Sequence, residues 1–350
     1  MTKPLIHGGQ LILIAQQYAL PVEDWLDLST GIAPYSYPVK EVPEHIWRRL
    51  PEENSALVHA AQQYYQCPHI LPISGSQAVI QLLPQLFSQQ QNKGQNSPRV
   101  FIPQIGYQEH NKAWQNSQFE LIKYTDSQAI TSLTSGDVVV LINPNNPSGR
   151  LYTLAEVAEL FSRVKQAKAY LIIDEAFMDC SPEHSFIKHS SDPQLLVLRS
   201  VGKFYALAGL RLGFVAAAPI WLQKIAALLG PWSVNGPAQY IGQQALSDSI
   251  WQEKQRARLH KLSLNLKTVL QQHFKSTPQG TALFQTIHHK QAPQIFHQLC
   301  QQGIYVRLCD EQNALRFGTP TPPQLERLEK ALSRMVQTKQ SGAGKDDSKS

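Results

Sequence analysis

The order of apolar runs predicts an α/β protein: a large domain with a mostly parallel sheet covered by helices on both faces, then a smaller α/β C-terminal domain. Three observations carry this. Short, nearly continuous apolar runs at 138–142, 170–173 and 195–198 read as strands buried on both faces. A segment of helical periodicity at 154–166 separates two of them. After Pro219 the composition shifts to long helical stretches and a second, shorter set of strands.

The elements follow in chain order. Residues 1–36 read as an N-terminal arm, with a short helix over 10–18 and an extended piece over 25–28, before Gly31 and Pro34 bend the chain. A large domain over 37–234 opens with a helix at 55–65, a strand at 70–73 and a helix at 78–87 kinked at Pro84. The polar stretch 89–97 reads as a surface loop. Strands at 100–102, 138–142, 170–173, 195–198 and 212–217 and a helix at 220–229 complete the domain. A small domain over 235–336 begins with one long helical stretch across 238–274. It continues as a strand at 282–287, a helix at 295–302, strands at 304–308 and 314–317, and a helix at 323–335. The polar segment 337–350 is expected to be disordered.

The chain has 350 residues, 42% of them hydrophobic, and a formal charge of +6 from 32 basic and 26 acidic side chains. That charge is mild and unclustered, so it argues against nucleic acid and leaves small anionic metabolites as partners. Cys67, Cys180, Cys300 and Cys309 show no CxxC spacing and read as reduced thiols of a cytoplasmic protein. No apolar run reaches the length of a signal peptide core or a membrane span, so no membrane association is expected.

The residues that suggest chemistry sit where strands end. Ser74-Gly75-Ser76-Gln77 lies between a strand and a helix, where hydroxyls and unpaired N–H groups can hold an anion; a plain N-cap serine accounts for it as well. Tyr107, after the strand 100–102, can stack on a ring or simply pack in the core. Asn143-Pro144-Asn145-Asn146-Pro147-Ser148-Gly149 follows another strand end, and Asn146 is the candidate amide aimed at a ring substituent; an ordinary Asn/Pro turn is the competing use.

Asp174-Glu175-Ala176-Phe177 follows the next strand. A carboxylate there can keep a pyridine nitrogen protonated, with Asp174 the candidate and Glu175 its rival as a metal ligand or general base. No His/Cys set accompanies them, so no metal is expected. Lys203, in Ser200-Val201-Gly202-Lys203, is an amine placed beside a serine and Arg211, as a Schiff-base lysine beside a phosphate would be; solvated lysine and salt-bridged arginine are the bland uses. Together these residues suggest pyridoxal 5'-phosphate. Arg316, among apolar neighbours, suits a substrate carboxylate or a structural salt bridge. His7-Gly8-Gly9 can converge N–H groups and an imidazole on an anion, and Gly31 allows a close approach to the backbone.

The order Ser-Gly-Ser-Gln, Gly-Tyr, Asn-Pro-Asn-Asn-Pro-Ser-Gly, Asp-Glu-Ala-Phe, Ser-x-x-Lys…Arg, Leu-Arg-Phe resembles the fold type I, aspartate aminotransferase-like pyridoxal-phosphate enzymes over nearly the whole chain. The compact length and plain Asp-Glu-Ala-Phe look like the histidinol-phosphate aminotransferase branch. Within it, His7-Gly8-Gly9, Trp25 to Ile32, Pro34 and Gly106-Tyr107-Gln108-Glu109-His110 are similar to the threonine-phosphate decarboxylases of cobalamin synthesis.

The resemblance implies a seven-stranded large-domain sheet and a homodimer with active sites at the subunit boundary. It implies that Lys203 carries the cofactor, Asp174 meets its ring nitrogen, Asn146 its ring oxygen, and Tyr107 its face. Gly75, Ser76, Gln77, Ser200 and Arg211 then surround the phosphate, with Phe177 nearby. Arg316 meets the substrate carboxylate, His7 the substrate phosphate, and Gly8, Gly31, Ile32 and Asn146 line the substrate. Three departures stand out: Ala33 where family members often have Asn, Phe177 where transaminases commonly have Tyr, and Leu50-Pro51-Glu52 where they present Tyr-Pro-Asp. The last two remove a hydroxyl each and argue against histidinol-phosphate transamination. The implied reaction is decarboxylation of L-threonine O-3-phosphate. Aminotransfer on a phosphorylated amino acid and a non-catalytic binding module are the rivals.

Overall fold

The computed structural model describes residues 8–52, 55–89 and 98–342. Its strands are β1 (Leu26–Leu28), β2 (Ile70–Ile73), β3 (Arg99–Pro103), β4 (Glu120–Tyr124), β5 (Val138–Ile142) and β6 (Tyr170–Asp174). They continue as β7 (Leu195–Ser200), β8 (Gly213–Ala217), β9 (Gln279–Thr281), β10 (Phe284–His288), β11 (Ile304–Leu308) and β12 (Ala314–Gly318). The chain divides into two compact units, one running from Tyr35 to Lys254 and the other formed by the residues before and after it.

The larger unit holds a seven-stranded sheet in the order β2-β8-β7-β6-β5-β3-β4. All neighbours are parallel except β8, which runs antiparallel to both β2 and β7. Every residue of β5 and β8 is buried, as their apolar runs require of strands covered on both faces. Leu83, Phe87, Trp114, Val140, Ile172, Leu198 and Trp221 belong to one core that joins the sheet to its helices. Strand β4 is not legible in the sequence: its charged Glu120 and Lys123 suit an exposed edge and break the apolar pattern. The helix Gln108–Gln115, which buries only Glu109, His110 and Trp114, was hidden by its polarity in the same way.

The smaller unit holds the sheet β1-β11-β12-β10-β9, with β1 and β11 parallel and the rest antiparallel. Leu26, Leu28, Leu270, Leu299, Val306, Leu315, Phe317 and Leu328 share its core. The strand expected at 282–287 is β10, and β9 just before it, which the sequence did not mark, pairs with it as a hairpin.

Two helices of the C-terminal half differ from expectation. The stretch 238–274 is two helices, Gly236–Ser247 and Ser249–Phe274, because Asp248 leaves helical geometry and its side chain accepts the Trp251 N–H at 3.0 Å as a new N-cap. The unit that begins at Tyr35 ends at Lys254, inside the second of these helices. The first helix packs on the helix Ser55–Tyr65: a Cβ at Gly242 would lie 3.3 Å from Leu57 and 2.2 Å from Leu212, so close approach there needs glycine. Finally, the last helix runs Pro322–Gly342, so residues 337–342 are helical where disorder was expected; no glycine or proline interrupts Gln324–Ser341. The loop expected over 89–97 lies, beyond Gln89, outside the described residues.

Candidate active site

Sheet register in the larger unit gathers the first group of candidate residues. Strand β8 lies between β2 and β7, and its Gly213 is opposite both Ile73 and Ser200. The turn after Ile73, the turn after Ser200 and Arg211 just before Gly213 therefore share one end of the sheet. Gly75 has φ 78° and caps the helix Ser76–Ser88. A Cβ at Gly75 would lie 2.8 Å from Arg211 Nη2, and one at Gly213 would lie 3.0 Å from the Ser76 nitrogen. The two glycines thus keep open a cradle bounded by a guanidinium, the Ser76 N–H and the start of a helix, a donor set suited to a phosphate.

Asp174 ends β6 and is 3% exposed. Its Oδ2 is 2.9 Å from Nε2 of His110, a fully buried imidazole, and its Oδ1 accepts the Ala176 N–H at 3.1 Å. His110 lies on the helix that starts after Tyr107. Its partner is not evident from the sequence, although Tyr107-x-x-His110 puts both residues on one face of a helix start.

Glu175, the rival carboxylate, turns into the protein. Its side chain accepts from Ser185 Oγ at 2.5 Å, the Phe186 N–H at 2.8 Å and Arg199 Nη1 at 2.6 Å. Burial pushes its carboxyl up from the usual value and Arg199 pulls it back. These contacts leave it no role as a metal ligand, and among the described residues no cluster of three His, Cys, Asp or Glu could hold a metal ion.

Lys203 sits in the one-turn helix Val201–Phe204 directly after β7, half-buried, with its Nζ 5.8 Å from the centre of the Phe177 ring. In the Asn-Pro loop the amides divide their work. Asn143 binds the Tyr152 backbone through both side-chain atoms, and Asn145 donates to the Ile105 carbonyl and accepts from Ser148. Asn146 is the half-buried one. The Tyr107 hydroxyl donates to Gln77 Oε1 at 3.2 Å, and Gln77 Nε2 donates to buried Glu109 at 2.8 Å. The Gln77 side chain is therefore engaged with the Tyr107 ring, a link the sequence did not disclose.

The smaller unit has its own polar cluster, centred on Ser29. Arg316, in β12, is buried, donates from Nη2 to the Ser29 carbonyl at 2.6 Å and lies 5.2 Å over the Phe284 ring. Burial, and then the charge of Arg307, lower its pKa to about 10. The Ser29 hydroxyl donates to Asp27 at 2.6 Å and accepts the Gly9 N–H at 2.7 Å. A Cβ at Gly8 would lie 2.2 Å from the Ser29 carbonyl oxygen. Gly8, Gly9 and Arg316 thus converge on one residue, and Gly31, buried, and Ile32, half-buried, follow it. His7 lies outside the described residues.

Residues 47–332 match the family model for aminotransferases of class I and II. The threonine-phosphate decarboxylase of Pseudomonas aeruginosa is 40% identical over 316 residues, covering 90% of this chain and 93% of that protein. The Sinorhizobium sp protein of that name is 36% identical over 342 residues, covering 96% and 99%. In fold, the chain matches histidinol-phosphate aminotransferase from Sinorhizobium meliloti, solved in complex with pyridoxal-5'-phosphate, with a TM-score of 0.76 at 17% identity over 96% of each chain.

Proposed function

The chain belongs to the class I and II aminotransferase family, and from that premise we propose that it is a pyridoxal-phosphate-dependent lyase that converts L-threonine O-3-phosphate to (R)-1-aminopropan-2-yl phosphate and CO₂. The observation that carries the reaction is that two relatives matched over at least nine-tenths of this chain bear the name threonine-phosphate decarboxylase. The product would serve the nucleotide loop of cobalamin.

The residues fit the cofactor. A cradle that a Cβ at Gly75 would fill, an amine on Lys203 and a buried carboxylate backed by an imidazole match a phosphate, an aldehyde and a pyridine nitrogen. When bound, pyridoxal phosphate accepts the electron pair released from the Cα–carboxylate bond. In our reading Gly75, Ser76, Gln77, Ser200 and Arg211 hold the phosphate. Asp174 keeps the ring nitrogen protonated, and His110 fixes the carboxylate's orientation. Tyr107 covers the ring, with Gln77 and Glu109 setting its tilt, and Asn146 donates to the ring oxygen. Phe177 adds packing but no hydroxyl, which separates this site from transaminases that have tyrosine there.

Lys203 would hold the cofactor in the resting protein, and its amine, when free, would supply the proton that takes the place of CO₂ at Cα. Arg316 binds the substrate carboxylate, and Gly8, Gly31, Ile32 and Asn146 line the substrate. His7 is assigned to the substrate phosphate on its sequence position.

We further read the protein as a cytoplasmic homodimer. All four cysteines are free thiols, which agrees with a reducing compartment, and no helix among the described residues is long and apolar enough to cross a membrane. The deciding experiment incubates the purified protein with pyridoxal phosphate and L-threonine O-3-phosphate, without keto acid. CO₂ and aminopropyl phosphate in equal amounts are expected. A strict requirement for a keto acid would make it an aminotransferase instead.

A further inference from the structure

Pairing of β6 with β7 ends at Asp174, opposite Leu198, with one last backbone bond from the Glu175 N–H to the Leu198 carbonyl at 2.9 Å. Beyond it the chain from Glu175 to Cys180 leaves the sheet in turns. Side chains then take over the connection. Arg199, the next residue of β7, donates from Nη1 to Glu175 at 2.6 Å and from Nη2 to Asp179. The Tyr65 ring covers the guanidinium at 4.5 Å. Arg199, Glu175 and Asp179 are each no more than 1% exposed.

This cluster sets one cation against two carboxylates in the interior. Such groups are poor stabilisers, since their desolvation offsets most of the attraction, and apolar residues of equal volume often serve stability as well. What the cluster does achieve is geometric. Asp174 precedes Glu175, Phe177 lies between Glu175 and Asp179, and Ser200 follows Arg199. One planar fork therefore ties the turn that carries Asp174 and Phe177 to the turn that carries Ser200 and Lys203, whose Nζ is 5.8 Å from the Phe177 ring. We propose that Arg199 is a positioning residue that holds these two turns in register for the cofactor. This rests on the functional reading above.

The test uses the cofactor-loaded protein and three variants, Arg199→Met, Arg199→Lys and Asp179→Asn. Arg199→Met is expected to shift the absorbance of bound pyridoxal phosphate, weaken its equilibrium binding by about tenfold and lower kcat by about a hundredfold, with KM nearly unchanged. Arg199→Lys should recover part of each loss, because an ammonium can hold one carboxylate but not fork between two. A cluster needed only for stability would lower the melting temperature and leave the bound spectrum, the cofactor affinity and kcat as they were. That result in folded Arg199 variants overturns the proposal. If circular dichroism shows that the Arg199 variants do not fold, Asp179→Asn decides: an altered spectrum and affinity support the proposal, and values equal to the unsubstituted protein overturn it. Failure of the unsubstituted protein to bind pyridoxal phosphate at all would fell the functional reading and this inference with it, a result distinct from losses confined to the variants.

Discussion

Asp174 in the larger unit and Arg316 in the smaller one are both buried ionisable side chains on sheet strands, and their surroundings neutralise them differently. Asp174 meets an imidazole, that of the fully buried His110, at 2.9 Å. Arg316 donates to a neutral backbone carbonyl and rests on an aromatic face, and burial brings its pKa down to about 10. The contrast teaches what each is prepared for. Asp174 is already oriented by His110 and the Ala176 N–H, as the fixed countercharge we propose would need to be. Arg316 keeps its guanidinium in a buried place that disfavours its charge, and under the proposed function a substrate carboxylate would offset part of that cost.

The largest expected effect lies at the Lys203 amine. Lys203→Ala should lower kcat by at least about a thousandfold and change the absorbance of bound cofactor, since acid–base and covalent roles vanish together. Normal turnover in this variant would remove the larger unit's cluster from the chemistry. Asp174→Ala comes next, with kcat down by about a hundredfold and some cofactor retained, as for loss of one preorganised electrostatic contact; a cofactor titration followed by the CO₂ assay separates the two effects.

Arg316→Ala sharpens the comparison from the other side. It should weaken L-threonine O-3-phosphate by about tenfold to a hundredfold, the worth of a charge-assisted pair, while leaving inhibition by aminopropyl phosphate, which lacks the carboxylate, nearly unchanged. Equal losses on both ligands would move Arg316 away from the carboxylate.

The pH dependence has a definite sign. Arg316 binds an anion only when protonated and its pKa is lowered, so the preference for the carboxylate-bearing ligand should fall as pH rises through about 10, earlier than for a solvated arginine. A preference that holds well above pH 10 would contradict the depressed pKa. Smallest is His110→Gln, which leaves the buried Asp174 carboxylate with a poorer partner. A loss of about 1–3 kcal/mol of stability with a modest fall in kcat is expected from thermal melts and steady-state rates. No change in either would show that Asp174 does not depend on His110.

Much of the fold was legible because its elements obey simple periods. The spans 55–65, 70–73, 138–142, 154–166 and 304–308 coincide with observed elements, since each buries an apolar face or run. What escaped was polar or interrupted: the edge strand β4, the hairpin strand β9, the helix Gln108–Gln115 and the break at Asp248. Candidate site residues were legible where they stand at strand ends, as Asp174 and Lys203 do. Their supports were not: His110 is 64 positions from Asp174 and Arg199 is 24 from Glu175.

By itself the sequence determined which residues could do chemistry. Periodic burial marks the strands, and a charged residue or amide placed just past an apolar strand is exposed to whatever binds there. Only the tertiary structure decided how those residues are partnered. Glu175 and Asp174 are neighbours in the chain, and one turns to Arg199 while the other meets His110, because successive side chains leave a strand on opposite faces. Which faces meet which depends on strand order and register, and those are set by packing across the whole sheet.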